Sequence, residues 1–248
     1  MAIRTATVTT PDGICPVTLH YPEGEGPWPG LLMYMDAPGI RPALHEIADR
    51  LAASGYAVLL PDLFYRSGPY PPVDPVQLHA DPALRAAHRD KFMAPLTPEA
   101  SVSDAGALLD FLSAQPEVAP GPIGTFGYCM GGRLALLTAG QFPDRIAASA
   151  SFHPGGLVTD VPMSPHRFAG RIKARVYVAG ATDDPSFPAE MKERLVEALD
   201  EAGVTHTVET YPARHGWVPR DTAAHDPAEA EHHWQALVQF LDGALKPA

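Results

Sequence analysis

The sequence predicts an α/β domain, a mostly parallel sheet with helices on both faces. Three observations carry that prediction. Apolar runs of strand length alternate with amphipathic stretches of helix length along nearly the whole chain. Two runs, 30–36 (GLLMYMD) and 56–62 (YAVLLPD), are almost wholly apolar, as strands covered on both faces must be. Neither repeats nor low-complexity segments interrupt the rhythm, and 248 residues with 46% hydrophobic content can bury one such core, so a single domain over 1–248 is expected.

Each element has its own warrant. ICPVTLHYP (14–22) alternates as a strand and pairs with IRTATVTT before it. In ALHEIADRLAASG, Leu44, Ile47, Ala48, Leu51 and Ala52 share one helical stripe, and Gly55 suits the position just past the helix end. From 63 to 98 the pattern breaks. FYRSGPYPPVDP is too rich in proline for regular structure, although PALRAAHRDKFM admits a short helix. An excursion this long reads as a lid or substrate-facing segment near the active site, because a disordered linker would leave Phe64, Tyr65, Tyr70 and Phe92 in water.

Thr97 and Pro98 then open a helix running to about residue 115. PIGTFG, IAASASF, ARVYVAG and VTHTVETY read as strands. Between the last two, Met191, Leu195, Ala198, Leu199 and Ala202 align on a helix stopped by Gly203. The final helix begins at Asp226 and Pro227, with Glu229 placed to complete a capping box and an inner stripe of Trp234, Leu237, Val238 and Leu241.

Composition excludes several functions. The net charge is −11 with no Lys/Arg cluster, which argues against nucleic acid or an anionic membrane as partner. MAIRTATVTT lacks an apolar signal region, and no run approaches the ~18 apolar residues of a membrane span, so a cytoplasmic location is expected. Cys15 and Cys129 lie far apart and suggest no disulfide framework. No G-x-G-x-x-G follows a strand, and there is neither a P-loop nor a His/Cys/Asp cluster with ligand spacing. No cofactor and no metal are expected, and the chain is read as a monomer or homodimer.

The chemistry concentrates in TFGYCMGGRLAL. Cys129 stands between Gly127 and Gly131, after a strand and before a helix, in the shape of a nucleophile elbow. A turn this tight demands glycine at the flanks and forces the central residue into a strained, exposed conformation. The helix N-terminus favours a thiolate there, and the Met130 N–H becomes one oxyanion donor. On such a scaffold an acid and then a histidine follow in the chain. His215, in YPARHGW after the last strand, fits the base, and ATDDPSFP offers Asp183 and Asp184 as the acid. Cys15, within a strand, reads as a buried small hydrophobe. His45, His225, His232 and His233 read as residues of solvated faces, and the last two, being adjacent, cannot pair on a metal. His153 either lines the cleft or serves a turn beside Pro154.

With these residues placed, the sequence resembles the dienelactone hydrolase (carboxymethylenebutenolidase) family of α/β-hydrolases from about residue 14 to 245. GYCMGG is similar to the family's G-Y-C-x-G-G elbow, YPARHGW to its histidine loop, and YAVLLPDLFYR to a characteristic strand and loop. The resemblance implies an α/β-hydrolase fold with Cys129 as nucleophile and His215 as base. For the acid, counting from Gly180 favours Asp183, whereas Pro188 and the Asp-Pro pairing favour Asp184, and Asp184 is the expected acid. Asp36, in MYMDAPG, stands where the family carries an acid, more familiarly glutamate, that interacts with the resting thiol. The Ala37 N–H becomes the second oxyanion donor.

The family's carboxylate-binding arginines are not matched in place, since Arg220 is displaced by one position. Arg85 and Arg89 of the excursion are the substitutes, with Arg85 expected to bind substrate and Trp217 to make the pocket more aromatic. The implied activity is cofactor-independent cleavage of a lactone or small activated ester through an acyl-cysteine. A general carboxylesterase or thioesterase on the same scaffold, and a non-catalytic binding protein, are the alternatives.

Overall fold

The chain opens with two strands, β1 (Ala2–Thr10) and β2 (Gly13–Tyr21), paired antiparallel over their whole length. The computed structural model describes residues 1–246, apart from the side chain of Asp183. Six further strands complete one sheet: β3 (Gly30–Tyr34), β4 (Ala57–Pro61), β5 (Ile123–Tyr128), β6 (Ile146–Phe152), β7 (Arg175–Asp183) and β8 (His206–Arg214). Their order is β1-β2-β4-β3-β5-β6-β7-β8. β2 meets β4 antiparallel, and every pairing from β4 through β8 is parallel. Every residue of β3, β4 and β5 is buried, because helices cover both faces of the sheet's centre.

The helices are α1 (Pro42–Ala53), α2 (Pro75–Ala80), α3 (Pro82–His88), α4 (Pro98–Ser113), α5 (Met130–Gln141), α6 (Ala189–Glu201) and α7 (Pro227–Leu245). α1 buries the predicted stripe, and Gly55 follows it at φ +90°, a conformation that costs other residues more. Thr97 caps α4 by accepting the Ala100 N–H at 3.2 Å. Asp226 caps α7 through the amides of Ala228 and Glu229, but the box predicted there is one-sided. The Asp226 N–H donates instead to the Trp217 carbonyl, and the Glu229 carboxylate turns to His232. Among the described residues no helix is long and apolar enough to cross a membrane.

The excursion is ordered. Asp74 and Asp81 cap α2 and α3, each followed by proline in the first turn. A π-turn, Arg89–Met93, follows directly. Phe64 and Phe92 are buried, so the aromatic content of the segment is packed as its sequence required.

Three histidine expectations fail, His225 among them, half-buried with Nδ1 3.1 Å from the Trp217 carbonyl oxygen. His45 is half-buried, with Nδ1 3.2 Å from His20 Nε2, and His20 in turn pairs with Asp49. His233 is fully buried on α7, its Nε2 3.1 Å from the Tyr128 hydroxyl and its ring edge-on to Phe152. The signal was present in the spacing: Ala230, His233, Trp234, Leu237 and Leu241 form one inner stripe. Burial pushes the His233 pKa down to about 3. The unfolded ring takes up a proton near pH 6.5 while the folded ring resists until about 3, so stability is lost as pH falls through that interval. His233→Gln is expected to flatten this acid limb by about one proton, read as the slope of urea-unfolding free energy against pH from 6.5 to about 4.5.

Candidate active site

Cys129 is the single residue between β5 and α5, and its backbone sits at φ 53°, ψ −116°. The elbow is enforced by contact. A Cβ on Gly127 would lie 2.5 Å from the Gly131 backbone, and one on Gly131 would lie 2.4 Å from the Tyr34 carbonyl oxygen. Only glycine lets strand and helix approach so closely. The Cys129 N–H donates to the Phe152 carbonyl at 3.0 Å, which ties the elbow to β6.

Parallel strands deliver the partners to the same edge of the sheet. Asp184 directly follows β7, and His215 directly follows β8. His215 Nδ1 donates to Asp184 Oδ2 at 2.8 Å, and Asp184 Oδ1 accepts the Ser186 N–H at 2.8 Å. Asp183 still pairs with Arg214 within the sheet, while its side chain lies outside the described residues. Burial opposes a charge on His215, but bonding to Asp184 and Cys129, together with their negative charges, outweighs it and raises the pKa to about 10.

A cavity of about 270 Å³ opens over these groups, lined by Asp36, Ala37, Cys129, His153, Arg214 and His215 among others. The first amide of α5, that of Met130, is an orphan donor of the helix start. Among the described residues, no acceptor meets the Ala37 N–H. His153 takes the cleft reading. Its φ is 37°, it is almost fully buried, and its ring stands edge-on to His215 with centroids 5.0 Å apart. Burial, reinforced by His215, holds His153 well below the usual histidine range, so it is neutral.

Three expected site residues are placed differently. Asp36 reaches the cavity, but both carboxylate oxygens are engaged by Arg41, at 2.5 and 2.9 Å, and no bond to the thiol is formed. Burial raises the Asp36 pKa against the opposing pull of Arg41. Arg41 also holds Asp221, in the loop after His215, at 2.7 Å, which ties the two loops together. Arg41 was missed in the sequence; a buried carboxylate needs a cation, and the nearest one in the chain was the clue.

Arg85 is exposed on α3, donates to the His79 carbonyl at 3.0 Å and does not line the cavity. Arg89 pairs with Asp90 and Arg220 with Glu46, both at the surface. Arg214 is the arginine that reaches the cleft. Trp217 is fully buried beneath the histidine loop, stacked on Tyr211 at 5.1 Å, and supports the loop without lining the cavity.

A cysteine elbow at the strand ends of a mostly parallel eight-stranded sheet, with loop-borne acid and histidine beside it, defines an α/β-hydrolase. The profile of the dienelactone hydrolase family matches residues 16–245, and the chain belongs to that family. It is 27% identical to the carboxymethylenebutenolidase of Rhodococcus opacus, over 92% of this chain and 86% of that protein. A dienelactone hydrolase-like promiscuous phosphotriesterase from metagenomic libraries superposes with a TM-score of 0.79 at 25% identity, covering 99% of this chain and 100% of that one. The dienelactone hydrolase of Anabaena variabilis shares the fold, with a TM-score of 0.70 at 17% identity and 99% coverage of both chains.

Proposed function

We propose that the chain hydrolyses a lactone or small activated ester through an acyl-cysteine, with Cys129 as nucleophile, His215 as base and Asp184 as the acid that orients the imidazole. One observation carries this reading: Cys129 at the elbow and His215 line the same cavity, and the ring's Nδ1 is anchored on a buried carboxylate. The Cys129 thiolate attacks the acyl carbon, and the C=O electron pair moves to an oxygen facing the amides of Met130 and Ala37. Collapse breaks the acyl C–O bond, and the leaving oxygen takes the proton carried by His215. Water then loses a proton to His215 and attacks the thioester. The second collapse releases the acid and returns the thiolate.

A thiolate departs from a tetrahedral intermediate more readily than an amine does, so strained or aryl esters are the substrates and anilides are not. The cavity, about 270 Å³ with Pro38, Pro75 and Ala224 in its walls, suits a small and largely apolar acyl group. Rapid acid quench during turnover of para-nitrophenyl acetate tests the reading. An acetyl mass increment on the peptide holding Cys129 is expected, and turnover without any adduct there refutes it.

A further inference from the structure

The turn that carries the Ala37 amide is held by donors from separate parts of the chain. Residues 36–39 are closed by a bond from the Gly39 N–H to the Asp36 carbonyl, at 3.0 Å. That carbonyl belongs to the same peptide group as the Ala37 N–H, so the bond polarises the amide. The three remaining carbonyls each have a side-chain donor. Arg41 Nη1 donates to the Gly39 oxygen at 3.1 Å, the Tyr70 hydroxyl donates to the Pro38 oxygen, and His88 Nε2 donates to the Ala37 oxygen at 2.8 Å. A carbonyl only accepts, so His88 carries a proton on Nε2.

Tyr70 and His88 both come from the excursion, and the fold makes specific room for them. A Cβ on Gly39, whose φ is +83°, would stand 2.7 Å from the Tyr70 ring. His88 is buried among Phe64, Tyr70 and Phe92, with ring centroids 5.7, 5.9 and 5.3 Å away. The π-turn immediately after His88 brings Phe92 onto its ring. A polar ring in an aromatic box is costly to desolvate, and the fixed acceptor on Ala37 offsets that cost. Neither side chain lines the cavity, so neither meets substrate.

We propose that His88 and Tyr70 are positioning residues for the oxyanion hole, through which the excursion holds the 36–39 turn with the Ala37 amide facing the oxygen that becomes charged. This role rests on the acyl-cysteine mechanism, in which Ala37 supplies the second donor.

His88→Phe keeps a ring in the box and removes the donor. Tyr70→Phe removes only a hydroxyl and carries the test where the first variant does not fold. Each is assayed with para-nitrophenyl acetate, and separately for modification of Cys129 by methyl methanethiosulfonate, which needs the thiolate but forms no oxyanion. For His88→Phe the expected kcat falls roughly tenfold or more, with KM within about twofold and thiol modification unchanged. His88→Gln, whose side-chain N–H can serve the same carbonyl, is expected to recover most of kcat. Wild-type kcat in both Phe variants overturns the positioning role, and so does a parallel loss of thiol modification, which marks a collapsed site. Cys129→Ala, run alongside, separates the two ideas. Turnover above about a tenth of wild type surviving that change removes the acyl-cysteine mechanism itself, whereas a loss beyond that together with wild-type kcat in both Phe variants removes only the positioning role.

Discussion

Cys129→Ala is expected to lower kcat/KM for lactones and aryl esters by at least about 10³-fold while leaving the fold intact. Alanine keeps a Cβ, so the elbow's positive φ is no more strained than with cysteine, and the contacts of Gly127 and Gly131 are untouched. What disappears is the sulfur, and with it the proposed route through a covalent intermediate. A small residue of activity persists, because His215 can still activate water beside the oxyanion donors. Steady-state kinetics with matched circular dichroism spectra decide the matter. A variant retaining more than about a tenth of wild-type turnover would falsify the assignment of the nucleophile.

Asp184→Asn is expected to cost about 10² to 10⁴ in kcat, and the reason lies in the two bonds that Asp184 accepts. Oδ1 takes the Ser186 N–H and Oδ2 takes the Nδ1–H of His215, both at 2.8 Å. Asparagine has a single acceptor oxygen. If that oxygen serves Ser186, the amide NH₂ faces Nδ1 and drives the ring proton to Nε2, a nitrogen that then cannot take a proton. If it serves His215, the NH₂ confronts the Ser186 N–H. Loss of the carboxylate also removes charge that favours the imidazolium, so the His215 pKa falls from about 10 towards 6.5. Titration of the His215 ring by NMR reads this shift, and an unchanged midpoint counts against Asp184 as the partner that holds the proton.

Much of the architecture was legible because it depends on local pattern. Wholly apolar runs became the buried strands β3 and β4, and the stripe of α1 was readable from its 3.6-residue period. The elbow was readable for a related reason, since Gly127 and Gly131 are demanded by backbone contacts within one strand–helix turn. Cys129 and His215, singled out by chain order, and Asp184, chosen over Asp183 from the family resemblance, stand together because parallel strands deliver successive loops to one edge of the sheet. Sequence distance misled elsewhere. Arg85 lay in the right segment but sits on the outer side of α3, while Arg214, next to the histidine, reaches the cleft.

By itself, then, the sequence determined the strand–helix rhythm, the elbow and the order of the groups around it, all of them matters of short-range spacing and backbone sterics. The tertiary structure alone decided the tie from Arg41 to Asp221, the burial of Trp217 beneath the histidine loop, and the anchoring of the 36–39 turn by Tyr70 and His88. Those outcomes turn on which distant segments pack together. Arg41 and Asp221 are 180 residues apart in the chain, and only the folded sheet brings one loop within 2.7 Å of the other. A buried charge or polar ring takes whichever partner the packing supplies, and local sequence does not encode that choice.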